Sequence, residues 1–148
     1  MNSAPLDDAE VRQLVTEWYK DLDVHVPLVD LLPKVADDGL EMRFPEATLH
    51  STAEFEYWYQ GVIRIFFDEV HSVRDLTITI ADDGSRADVK LVVYWEASRW
   101  NPPARNSERL LMDAYQTWVV QRSARSGLPV VKTYIVDELR PLAGSVAL

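Results

Sequence analysis

Apolar residues recur with a helical period through the first half of the chain and with a two-residue period through the second. Val11, Leu14, Val15, Trp18, Tyr19 and Leu22 share one stripe at i, i+3, i+4 spacing, which predicts an amphipathic helix. Asp7, with Glu10 three residues on, reads as its N-cap and reciprocal partner, each satisfying an otherwise unpaired amide. A shorter segment opens at Pro27 and sets Leu28, Leu31, Leu32 and Val35 on one side. Pro33 inside it removes a hydrogen bond and crowds the preceding turn, so a kink or two helical turns are expected, ending near Gly39. Residues 40–44 alternate and predict a strand stopped by Pro45. Ser51 and Glu54 form a capping box, after which Phe55, Trp58, Tyr59, Val62, Ile63, Phe66, Phe67 and Val70 keep helical spacing for four turns. One aromatic helix reaching residue 70 is the expectation.

Beyond residue 71 the period becomes two. Strands are predicted over 73–81, 87–100, 110–122 and 129–139, with turns at Asp82-Asp83-Gly84, Asn101-Pro102-Pro103 and Ser126-Gly127. Three helices followed by long antiparallel strands define an α+β class, with the helices on one face of the sheet. The 148 residues suit a single domain, 1–148, with a core over about 8–140 and a loose tail at 143–148. The absence of cysteine removes disulfides, thiolate metal sites and a thiol nucleophile. Lys+Arg 15 against Asp+Glu 24 gives a net charge of −9, the wrong sign for a nucleic-acid partner. No apolar run approaches the ~18 residues of a membrane span, and the first residues lack the pattern of a secretion signal. A cytoplasmic location is expected.

The element order resembles the nuclear-transport-factor-2-like superfamily, and within it the SnoaL-like, polyketide cyclase-like branch. Two stretches carry the likeness. One is Met42-Arg43-Phe44-Pro45 running into Thr48-Leu49-His50 and the aromatic helix; the other is Lys132-Thr133-Tyr134-Ile135-Val136-Asp137. The resemblance implies a cystatin-like cone in which a strongly bent, mostly antiparallel sheet wraps a helix around a cavity. It also implies cofactor-free cyclase, isomerase or dehydratase chemistry, or a non-catalytic module on the same scaffold.

Trp18, Tyr19, Trp58, Tyr59 and Phe67 are the candidate cavity walls, although aromatics at helical spacing more often fill a core than line a cavity. Glu41, Glu96, Asp113 and Asp137 sit in apolar or aromatic strand contexts, where an enclosed carboxylate gains the basicity of a proton shuttle. Alternation puts Glu41 and Arg43 opposite Met42, so Glu41 is the weakest of the four. Asp137 and Asp113 are the expected acid–base groups, with Tyr115 and His50 as hydrogen-bond partners and Glu96 beside the ligand. Tyr134 alternates to the face opposite Asp137, so only one of them enters a cone unless a bulge intervenes. His25, His50 and His71 lack metal-ligand spacing, and the glycines form no phosphate loop, so neither metal nor cofactor is expected.

Two functions stand as alternatives: an enzyme acting on a small apolar or aromatic molecule through an enclosed carboxylate and a phenol, or a ligand-binding or assembly module. A homodimer through the sheet is expected from Trp95 or Trp118 on an outward face.

Overall fold

The computed structural model describes residues 4–148. Helix α1 (Asp8–Asp23) starts where the Asp7 carboxylate accepts the Glu10 amide at 2.8 Å, and it buries the predicted stripe from Val11 to Leu22. Glu10 does not reach back to close the box. Its carboxylate takes the Arg122 guanidinium at 2.7 and 2.9 Å, which holds the Glu10 carboxyl below its ordinary range. Helix α2 (Leu28–Leu31) lasts one turn, because Pro33 tightens the next three residues into a 3₁₀ turn, Leu32–Lys34. The short strands β1 (Glu41–Arg43) and β2 (Thr48–Leu49) form a hairpin, with Glu41 paired to Arg43 on its outer side.

Ser51 caps α3 (Thr52–Ile65) by accepting the Glu54 amide at 3.1 Å, while Glu54 accepts the His50 amide at 2.7 Å. The helix stops five residues short of expectation. Phe66, Phe67 and Val70 belong to the first long strand, β3 (Phe66–Ile80), because apolar residues at 66, 67 and 70 satisfy either period and pairing with the next strand decides. Strands β4 (Ala87–Arg99), β5 (Glu108–Arg122) and β6 (Pro129–Pro141) complete a sheet of order β2-β1-β6-β5-β4-β3. Among the described strands β1 against β6 pairs parallel and the other pairs run antiparallel. The sheet curls around α1 and α3, which is the cystatin-like α+β architecture expected.

Bulges supply the curl and reassign faces. On β3, Asp68 and Glu69 together oppose Ala97, and Arg74 is a second extra residue. On β6, Asp137 and Lys132 are unpaired extras. Each insertion turns the next residues to the other side of the sheet.

The main core lies between α1, α3 and the inner sheet face, built on Trp18, Phe55, Tyr59, Met42 and Trp118. Trp118 is fully buried and Trp95 faces inward, so neither tryptophan stands on the outer face as the dimer expectation supposed; Phe67 and Val70 are the apolar residues exposed there on β3. The C-terminal segment is not loose. Leu142 and Val146 donate to the Leu111 and Arg109 carbonyls, and Val146 packs beside Ala97, Leu110 and Met112. Gly84, at φ +73, seats the N-terminal arm: its carbonyl accepts the Leu6 amide, and a Cβ there would lie 2.4 Å from Pro5.

Candidate active site

A cavity of about 840 Å³ lies between α3, the residues around β2, and the inner faces of β3 to β6. Its walls are apolar. Phe44 and Trp58 stack with centroids 4.0 Å apart, and Phe66, Trp95, Val136 and Leu139 continue the lining. Trp58 is fixed by its indole N–H, which donates to Glu46 at 3.0 Å. Five polar side chains break this surface at the inner end: Tyr59, Glu69, His71, Gln116 and Tyr134. A few converging polar groups in an apolar hollow are the usual anatomy of a small-molecule site.

The bulge at Asp68 and Glu69 sets both Glu69 and His71 inward. His71 Nδ1 lies 2.7 Å from Asp23 Oδ1, at the C-terminal end of α1. A carboxylate only accepts, so Nδ1 carries the proton of the neutral ring and Nε2 carries the lone pair. No protein group among the described residues bonds Nε2. Tyr19 stacks on the imidazole at 5.0 Å and Trp95 lies parallel to it at 6.3 Å, which fixes the plane of the ring. A histidine oriented by a carboxylate, with its second nitrogen free against a cavity, is arranged as a general base.

Gln116 is oriented as firmly. Its Oε1 accepts from the Tyr19 hydroxyl at 2.9 Å and from the Trp118 indole N–H at 3.0 Å. Indole only donates, so the atom facing it is the oxygen and the amide cannot be flipped. The Gln116 NH₂ faces the cavity beside the Tyr134 hydroxyl, whose pKa it helps to hold down. Since the Tyr19 proton goes to Gln116, the Tyr134 hydroxyl donates to Tyr19 across 3.1 Å.

Burial pushes the Tyr19 phenol well above its ordinary value of about 10 and Tyr134 up to about 12. Burial, with the nearby charges of Glu69 and Asp21, takes Tyr59 to about 12. Unfolded, all three ionise near 10, so the folded state keeps protons that the unfolded chain releases. Their contribution to stability is intact below pH ~10 and drains as pH rises towards ~12. Tyrosinate absorbance is therefore expected to grow in two stages, the second coinciding with loss of far-ultraviolet dichroism. A single stage completed by all six tyrosines while the fold persists would contradict it.

Of the residues that sequence singles out, Trp58, Tyr59 and Tyr134 line the cavity. Trp18 and Tyr19 are core beneath it, Trp18 packed against Phe55, Trp118 and Tyr134. Phe67 points outward and is 41% exposed, and its neighbour Phe66 takes the wall position. Asp113, Tyr115, Glu96 and Asp137 all lie on the outer sheet face, opposite the inward Ala114, Gln116, Trp95 and Val136. There Asp113 meets Arg74 at 3.3 Å, Glu96 accepts from Tyr94, Arg140 covers Tyr115, and Thr117 donates to Asp137 at 2.6 Å. His50 is exposed at the start of α3. Asp23, His25, Glu69, His71 and Gln116 escape sequence reasoning: the pairings His25–Glu69, Asp23–His71 and Tyr19–Gln116 span 44, 48 and 97 residues, beyond any spacing motif.

This architecture is a cystatin-like fold. No protein-family model matches the chain, and no curated protein matches it either. Solved structures do. A scytalone dehydratase-like protein of Novosphingobium aromaticivorans superposes with TM-score 0.70 at 15% identity, covering 95% of this chain and 88% of its own. A hexachlorocyclohexane dehydrochlorinase, LinA-type3, of Novosphingobium barchaimii gives 0.72 at 16%, covering 95% and 92%. A cystatin-like-fold protein of unknown function from Nostoc punctiforme gives 0.70 at 15%, with both chains fully covered. Among the described residues no helix is long and apolar enough to cross a membrane.

Proposed function

We propose that this chain is a cofactor-free lyase or isomerase that removes a proton next to a carbonyl in a small, flat, apolar molecule. The observation that carries the reading is the His71–Asp23 pair, with its free Nε2 at the wall of an aromatic cavity. In this scheme the substrate skeleton lies against Phe44 and Trp58. His71 Nε2 takes the α-proton, and Asp23 steadies the imidazolium that forms. The Gln116 NH₂ meets the carbonyl oxygen as it becomes an enolate, a donor already aimed before charge develops. Tyr134, whose proton is committed to Tyr19, shapes the hollow and accepts a hydrogen bond rather than giving one. Two structural neighbours with lyase names support the class.

Proton exchange tests it directly. In D₂O at neutral pH the protein is expected to catalyse deuterium uptake at the α-carbon of 2-propionylnaphthalene, a flat ketone used as probe, and to lose this with His71→Gln. Saturable binding of the ketone without exchange would favour the binding-module reading instead. A homodimer across the outer sheet face would seat ion pairs such as Arg74–Asp113 and Arg109–Glu96, so its association would weaken as salt is raised in sedimentation.

A further inference from the structure

A second acid–imidazole pair shares the inner end of the cavity. Glu69, 8% exposed and part of the lining, accepts the Trp95 indole N–H on Oε1 at 3.0 Å and meets His25 Nε2 on Oε2 at 2.5 Å. It stands two residues from His71 on the same face of β3. Proton abstraction by His71 leaves this pair without a task, yet the backbone is bent to build it. Among the described residues, two non-glycine residues have positive φ: His25 at +51° and Asp68 at +50°.

His25 fills the C′ position of a Schellman turn. Its amide donates to Leu22 and that of Val26 donates to Asp21, a position at which glycine is the usual residue. Asp68 is the bulge residue that aims Glu69. A left-handed conformation is strained for a residue that carries a side chain. Such strain persists where the surroundings over-determine it, typically at functional sites. Both instances here converge on one carboxylate.

We infer that Glu69, sharing a proton with His25, is the acid that protonates the leaving group, and that the substrate class is therefore β-hydroxy carbonyl compounds. This inference rests on the proton-abstraction reading of His71. Chloride departs as a weak base and needs no proton; hydroxide is a strong base and leaves readily only as water. In the step, His71 Nε2 takes the α-proton and the C–H electron pair becomes the new carbon–carbon double bond. The β-carbon–oxygen bond breaks, and its oxygen takes the proton of the Glu69–His25 pair to leave as water. The proton on His71 then returns through solvent to the pair, so substrate gives enone plus water with the protein unchanged. Glu69 is the group that touches the leaving oxygen, while His25 acts through it as a positioning residue.

The β-hydroxy and β-chloro derivatives of 2-propionylnaphthalene both yield the same enone, followed by its absorbance. The unmodified protein is expected to eliminate water from the first. Glu69→Gln is expected to lower the ratio of hydroxide to chloride elimination at least ~100-fold, the scale of a lost general acid. His25→Asn, whose side chain tolerates the left-handed turn, should move the ratio the same way. Equal loss of both rates in Glu69→Gln, or chloride elimination alone by the unmodified protein, would overturn the inference while the His71 reading stands. Absence of both eliminations together with absence of α-exchange would remove the reading itself and the inference with it.

Discussion

His71→Gln is expected to reduce the α-exchange rate by roughly 10²–10⁴-fold, the contribution of a positioned general base. Glutamine keeps much of the side chain's volume between Tyr19 and Trp95 but has no nitrogen that can take a proton. Asp23→Asn should approach the same loss by a different route. An amide at 2.7 Å from Nδ1 can donate as well as accept, so the ring is no longer held with its lone pair on Nε2. Both variants should keep the far-ultraviolet dichroism of the fold, since neither side chain belongs to the apolar core. Exchange followed by NMR, with dichroism on the same samples, checks the pair. Wild-type rates in both would leave the site without a base.

Trp118→Ala is expected to cost about 3–5 kcal/mol, as large-to-small changes of buried aromatics do. Set against a typical total stability of about 5–15 kcal/mol, that leaves a marginal protein. Trp118 packs against Trp18, Tyr19 and Tyr134 with centroids 5.9, 5.9 and 5.0 Å away, so a hole there opens under the site as well as in the core. Urea unfolding gives the number. Trp118→Phe separates the two roles: it keeps most of the packing but removes the N–H that forbids Gln116 to flip. A modest stability loss with a clear drop in α-exchange is the expected signature.

The helices and the order of the long strands are readable in the sequence because their patterns are local. The Asp7 and Ser51 caps and the stripe on α1 all stand where periodicity puts them. The boundary at residue 66 is not readable, since a run of aromatic and branched residues suits either period until β4 pairs with it. The site is hidden for a different reason. Alternation correctly groups Asp113 with Tyr115 and Thr117, but which group faces inward depends on what the helices cover. On β3 and β6 it also depends on bulges that carry no reliable sequence mark. Alternation makes Asp137 an inward candidate; it is itself an extra residue, and Val136 before it takes the wall. The His71–Asp23 pair joins residues 48 apart, which only the folded chain brings together.

Asp68 forms no side-chain hydrogen bond among the described residues and stands away from the cavity, and with Glu69 it fills a single position opposite Ala97. Removing it would leave Phe67 and Glu69 consecutive opposite Ser98 and Ala97, with every pairing from Val70 onward as it stands now. Phe66, Glu69 and His71 would keep their inward face by plain alternation, and what would go is the kink that the extra residue puts into β3. A residue gained between Glu69 and His71 is the harmful edit, since it would turn the imidazole to solvent; at this point the strand forgives a lost letter and not an added one.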